Sequence, residues 1–207
     1  MQVRYEAGYR LLAAMLVVTA GVAALWWGTD GFRAYTSESA RRLAVLQAPR
    51  ALPGVRLQDQ DGQVFALGDY QGRLVAIEFI YTRCETICRS LGMLFQQLHD
   101  RLPQTAFEQD VVLLSISFDS QRDDARALKR YGETYGADGR EWRLARVPDP
   151  RALERLMASF GVVAIDDGLG GFEHNAALHL LDRDGRLVLI EDYDELERFE
   201  MAIQERL

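Results

Sequence analysis

The sequence predicts an α/β fold, a mixed sheet flanked by helices, preceded by an N-terminal transmembrane anchor helix. Three observations predict it. Residues 11–28 are 18 uncharged and mostly apolar positions in a row. Two short apolar, β-branched runs, Leu74–Ile80 and Val111–Ser117, read as buried strands. Each of these is followed by a segment with helical periodicity, the strand–helix–strand alternation that builds a sheet covered on both faces.

In chain order, the first element is the anchor. As a helix, residues 11–28 span roughly 27 Å, close to the hydrocarbon core of a bilayer. Arg4 and Arg10 precede the run and Trp26 and Trp27 close it, with Tyr5 and Tyr9 placed to anchor the near end. A cleaved signal peptide would have a shorter run and a small-x-small site, whereas this run ends in Trp-Trp-Gly-Thr-Asp. A buried core helix would need less uniform apolarity. Arginine on the N-terminal side puts residues 1–10 in the cytoplasm. Residues 11–28 are then a single transmembrane pass, residues 29–48 a polar tether, and residues 49–207 a folded domain outside. No Arg- and Ser-rich transit peptide precedes the anchor, so the expected location is a bacterial inner membrane with the domain in the periplasm.

Pro49 and Pro53 mark the domain entrance. Residues 55–57 and 64–67 flank Asp59-Gln60-Asp61-Gly62, a hairpin signal. After Leu74–Ile80, Leu91, Leu94, Phe95 and Leu98 predict a helix running to about Leu102, before Pro103. A helix follows Val111–Ser117 over residues 124–135 and ends at Gly136. Residues 142–145 are a short strand. Asp149-Pro150 is an N-cap followed by proline at the first helical position, and that helix ends at Phe160-Gly161. Residues 162–173 read as a Gly-rich loop. Ala177–Leu181 and residues 186–190 flank a second Asp-Gly turn, and residues 194–206 close as a helix.

Cys84 and Cys88, the only cysteines, sit where the first core strand hands over to its helix. With cysteines at that place, the order of elements is a thioredoxin-like plan. Residues four apart share one face of a helix, within reach of a disulfide. The first turn of a helix carries positive potential that favours thiolate, and Arg83 and Arg89 add to it. Such a pair can bind one soft metal ion or oxidise to a disulfide. A closed loop of three intervening residues makes a poor structural staple.

The chain has three histidines. His99, among Gln96, Gln97 and Asp100, reads as a solvated helix residue, and His179, between Leu178 and Leu180, as a packed one. His174 follows the Gly-rich loop and precedes a strand, where a side chain is readily delivered to a site. Two thiolates and one imidazole suit Cu(I), or Cu(II) with a further ligand; zinc would need a fourth group. Asp123 and Asp124 read as turn and helix-cap residues, Asp119 as a group that supports the site or serves a partner, and Met93 as core or helix packing. The net charge of −7 argues against binding nucleic acid.

The motifs D-Q-D-G (59–62), F-I-Y-T-R-C-E-T-I-C (79–88), S-I-S-F-D-S-Q-R-D-D (115–124), F-G-V (160–162), E-H-N (173–175) and L-L-D-R-D-G (180–185) together resemble the SCO/SenC family over residues 52–207. The resemblance implies a membrane-anchored thioredoxin-like domain that binds copper, Cu(I) or Cu(II), through both cysteines and a distal histidine. It falls residue by residue on Cys84, Cys88 and His174. It implies a metallochaperone rather than an enzyme, helping to build the dinuclear copper centre of cytochrome c oxidase, with the copper-receiving oxidase subunit as partner. The alternative is a thiol–disulfide oxidoreductase that reduces the copper-ligand cysteines of a partner. The sequence departs from the family pattern at Glu85 and Arg89, where prolines are usual, at Glu173 and Asn175 around the histidine, and at Ala145-Arg146.

Overall fold

The computed structural model describes the backbone of residues 2–84 and 87–207, and the side chains of residue 10, residues 12–84 and residues 90–207. The chain divides into two compact units, Met1–Gln47 and Ala48–Leu207.

In the first unit, helix α1 (Gln2–Gly28) is 27 residues long. Leu12, Met15, Leu16, Val17, Val18, Val22, Leu25, Trp26 and Trp27 on it are all exposed. Among the described residues, no helix is long and apolar enough to cross a membrane; Leu11, which opens the apolar run, has its side chain outside them. Helix α2 (Ser37–Gln47) follows. Thr36 starts it, its hydroxyl accepting from the Ser39 amide at 3.1 Å while the Ser39 hydroxyl accepts from the Thr36 amide, a reciprocal N-terminal cap.

The described residues of the second unit build an eight-stranded sheet. Its strands are β1 (Arg50–Ala51), β2 (Arg56–Asp59), β3 (Val64–Ala66), β4 (Leu74–Ile80), β5 (Val111–Ser117), β6 (Trp142–Arg146), β9 (Ala177–Leu181) and β10 (Arg186–Asp192). The spatial order is β1-β10-β9-β4-β5-β6-β2-β3. β4, β5 and β6 are parallel and the hairpin strands antiparallel. Every residue of β4 and β5 is buried, as expected of central strands covered on both faces.

Alternation along β4 separates the two layers. On one face the Glu78 and Ser115 side chains lie toward Trp142, which packs on Phe95 of α3 (Ile87–Arg101). On the other, Phe79 and His179 meet Phe160 of α6 (Pro150–Phe160). Helix α5 (Ala125–Tyr135) starts at Asp124, whose carboxylate accepts from the Ala127 amide. It ends at Gly136 with φ 84°, a left-handed position that glycine adopts without strain. Helices α4 (Gln104–Gln109) and α7 (Leu196–Gln204) complete the layers.

Two expectations are corrected. The Gly-rich stretch is a separate hairpin, β7 (Ala164–Asp166) paired with β8 (Phe172–His174). Its strands are only three residues long and its tip is held by aspartate side chains, so no long periodic run announces it. His99 is only partly solvated: its ring lies 4.9 Å from that of Phe107, and its Nε2 is 3.1 Å from Glu141 Oε2.

Candidate functional site

The site forms where β4 leaves the sheet. Tyr81-Thr82-Arg83-Cys84 makes a tight turn, with the Cys84 amide 3.3 Å from the Tyr81 carbonyl. The turn is fastened from below by Asp123, which is fully buried. Asp123 accepts from the Thr82 amide at 2.9 Å, the Thr82 hydroxyl at 2.6 Å and the Ser117 hydroxyl at 2.6 Å. Charge-assisted bonds of this kind are the strong ones. Cys84 is thereby held in a buried position at the end of the central strand, 6% exposed. Cys88 lies in the first turn of α3; its side chain, with those of Glu85 and Arg89, lies outside the described residues.

His174 ends the β7–β8 hairpin, which packs against Tyr81 at the start of this turn. The hairpin docks through an aromatic cluster: Tyr81, Phe118 and Phe172 have ring centroids 5.3–5.4 Å apart. His174 rests against Phe118 at 5.0 Å and Tyr81 at 6.3 Å. The Phe172 amide donates to the Tyr81 hydroxyl at 3.3 Å. Asn175 fixes the strand beyond the histidine, accepting from the Val163 amide at 2.7 Å and donating to the Gly161 carbonyl at 2.9 Å. Burial lowers the His174 pKa below its ordinary value, partly offset by a backbone hydrogen bond at Asn175. The imidazole is therefore neutral at pH 7, the form that can ligate a metal.

A second tie joins turn and hairpin. The Arg83 guanidinium donates to the Gly170 carbonyl at 3.1 Å and pairs with Asp119 at 3.2 Å; Arg122 also pairs with Asp119, at 3.4 Å. Asp119 is buried while both arginines are half-exposed. Asp119 thus holds the arginine that ties the turn to the hairpin. Replacing Arg83 by alanine is expected to cost no more than about 1 kcal/mol of global stability, since surface pairs contribute little. It should nonetheless speed amide exchange across residues 164–174 several-fold. Unchanged exchange in that hairpin would show that Arg83 does not hold it.

His179 stays in the core, 1% exposed, its ring edge-on to Phe79 and Phe160, as its sequence context suggests. Met93 does not pack in the core: it is 53% exposed and lines a cleft with Cys84. Among the described residues no three His, Cys, Asp or Glu side chains form a metal cluster; the Cys88 thiol is not among them. Glu78, buried in β4, escaped the sequence reading because a single acidic residue inside an apolar run is the only sign of it.

The family model described as SCO1/SenC matches residues 47–205. The chain belongs to the SCO1/SenC family. It is 28% identical over 142 residues to the SCO1 protein homolog of Bacillus subtilis, covering 68% of this chain and 72% of that one. It is 29% identical over 147 residues to a putative copper-binding protein of Stutzerimonas stutzeri, covering 69% and 70%. Among solved structures, it resembles Bradyrhizobium japonicum ScoI with copper bound, with TM-score 0.65 and 23% identity over 76% of this chain and all of that one. A SCO1/SenC family lipoprotein of Bacillus anthracis superposes with TM-score 0.68 and 21% identity over 78% and 98% of the two chains. These likenesses establish the α/β fold with its mixed sheet.

Proposed function

We propose that this SCO1/SenC protein is a membrane-anchored copper metallochaperone, in which Cys84, Cys88 and His174 hold copper and pass it to the dinuclear copper centre of cytochrome c oxidase during assembly. The observation that carries the reading is the aromatic cluster of Tyr81, Phe118 and Phe172, which seats His174 beside the turn that bears Cys84. The donor set fits the cargo: thiolates are soft ligands for Cu(I), and an imidazole held neutral adds a ligand that also serves Cu(II). Bradyrhizobium japonicum ScoI and yeast Sco1 have both been solved with copper bound, and BsSco is a member of the Sco family of cytochrome c oxidase assembly proteins. Binding releases the thiol protons, and transfer proceeds by exchange of the protein's sulfur ligands for those of the receiving oxidase subunit.

The anchor belongs to the same proposal. Residues 1–10 lie in the cytoplasm, 11–28 cross the bacterial inner membrane once, 29–48 tether, and 49–207 carry the site into the periplasm. The exposed apolar residues of α1 support this, as does a lipoprotein relative. The anchor confines copper exchange to the membrane surface where an oxidase subunit lies.

The test is copper titration of the reduced full chain in detergent, with absorption and EPR for Cu(II). One equivalent should bind with thiolate-to-copper charge transfer. Affinity should fall at least about tenfold in His174→Ala, since losing even an outer-shell partner of a ligand costs about 10–100-fold, and binding should vanish in the Cys84→Ser/Cys88→Ser double variant. Undiminished binding in the double variant would remove the proposed site. Disulfide reductase activity that survives His174→Ala, without stoichiometric copper binding in the wild type, would favour the oxidoreductase reading.

A further inference from the structure

We propose that the cleft beside Cys84 binds a small carboxylate-bearing thiol, or its disulfide, and positions its sulfur for exchange with the Cys84 thiol. The cleft encloses about 450 Å³, a volume suited to a small organic ligand. Cys84 contributes to its lining, with Met93, Arg130, Tyr131 and Tyr135 around it. The tyrosine rings, 4.8 Å apart, close its back against α3. They can do so because residue 92 is glycine: a Cβ there would lie 2.8 Å from the Tyr131 hydroxyl and 2.8 Å from the Tyr135 ring. Their faces and the Met93 thioether give a ligand an apolar, polarizable wall.

Charge decides the ligand class. Arg130 is exposed, and among the described residues no carboxylate pairs with it. The chain carries a net charge of −7, so an anionic ligand is repelled by the protein as a whole and attracted here by an available guanidinium. The groove thus combines a sulfur nucleophile, an aromatic wall and a cation. The ligand that uses all three carries a sulfur and a carboxylate on a short skeleton, as a cysteinyl tripeptide does.

The exchange balances. The Cys84 thiolate attacks one sulfur of a disulfide RSSR; a Cys84–SR bond forms, the RS–SR bond breaks, and the leaving RS⁻ takes a proton from water. The Cys88 thiolate then displaces the second RS⁻ from Cys84. Two protein thiols are oxidised to one disulfide, and RSSR is reduced to two RSH. In reverse, two RSH restore the dithiol and leave as RSSR. The inference rests on the first exchange at Cys84, with Cys88 completing the oxidation, and goes beyond the copper reading by naming what would reset the pair for metal.

The test compares two disulfides on the reduced full chain in detergent: glutathione disulfide, which is anionic, and 2-hydroxyethyl disulfide, which is neutral. The rate of loss of protein thiol is measured for each, and their ratio cancels changes in Cys84 nucleophilicity. The wild-type ratio, scaled to the same ratio for a free model thiol, should exceed one and fall with salt. It should fall about threefold in Arg130→Ala and about tenfold in Arg130→Glu. Arg130 lies on the surface of α5, so neither change disturbs the fold, and copper titration of the same variants should match wild type. A scaled ratio at or below one, or one indifferent to Arg130, overturns the site. Absent copper binding with an intact ratio would overturn the metallochaperone reading and leave this one standing.

Discussion

Replacing Asp123 by alanine should destabilise the second unit by about 3–5 kcal/mol and weaken copper binding, although Asp123 is not among the proposed ligands. The side chain is 0% exposed and both oxygens accept hydrogen bonds. Removing it strands the Thr82 amide, the Thr82 hydroxyl and the Ser117 hydroxyl. Each buried donor left unmatched costs about 1–3 kcal/mol, somewhat less where a hydroxyl can rotate to another acceptor. The Thr82 bonds also fix the turn that carries Cys84, so its loss should loosen the site as well as the fold. The comparison is Asp124→Ala. Asp124 is the N-cap of α5, and losing a cap costs about 1 kcal/mol. Denaturant unfolding of both variants, with copper titration in parallel, separates the two roles. Equal losses from the two substitutions would mean that Asp123 is an ordinary turn residue.

That pair of aspartates shows what was legible in the sequence and what was not. Asp124 follows a strand and precedes a periodic run, so its capping role is local and readable. Asp123 looks the same in sequence, but its partners lie 41 residues away at Thr82 and 6 residues away at Ser117. Only the parallel pairing of β4 and β5 brings them together. The same distinction runs through the fold. The central strands and the helices after them are marked by period, caps and glycine stops, which are local signals. The edge strand β1, the short helix α4 and the β7–β8 hairpin are held by their surroundings, and the sequence is silent on them. At the site, the position of Cys84 follows from the end of an apolar strand. The position of His174 depends on the aromatic docking of a hairpin 90 residues later in the chain, which spacing alone cannot show.

Glu78→Gln should make the protein less sensitive to alkaline pH. Glu78 lies in the middle of β4 and is fully buried, with Oε1 accepting from the Ser115 hydroxyl at 2.5 Å. Ser115 in turn accepts from the Trp142 indole at 2.8 Å. Oε2 is buried with no hydrogen-bond partner among the described residues. Burial raises the Glu78 pKa to about 8, only partly opposed by the Ser115 bond, because removal from water disfavours the charged carboxylate. At pH 7 the side chain is therefore a neutral acid. Its folded pKa lies above its unfolded value, so between pH 4.5 and 8 the folded state holds a proton that the unfolded state has released. Stability then falls as pH rises through that window and levels off above it. At about 1.4 kcal/mol per pH unit, the loss amounts to roughly 3–5 kcal/mol across the window. Glutamine keeps the oxygen that Ser115 needs and cannot ionise, so its stability relative to wild type should improve steadily from pH 5 to pH 8. Any fixed cost of burying its amide shifts that difference by a constant and leaves the slope intact. Denaturant unfolding of both proteins at several pH values reads the slope. An infrared carboxylic-acid band, present at pH 7 in the wild type and absent from the variant, reports the proton directly. Parallel stability profiles without such a band would show that Glu78 is ionised in the fold and that a compensating charge lies beside it.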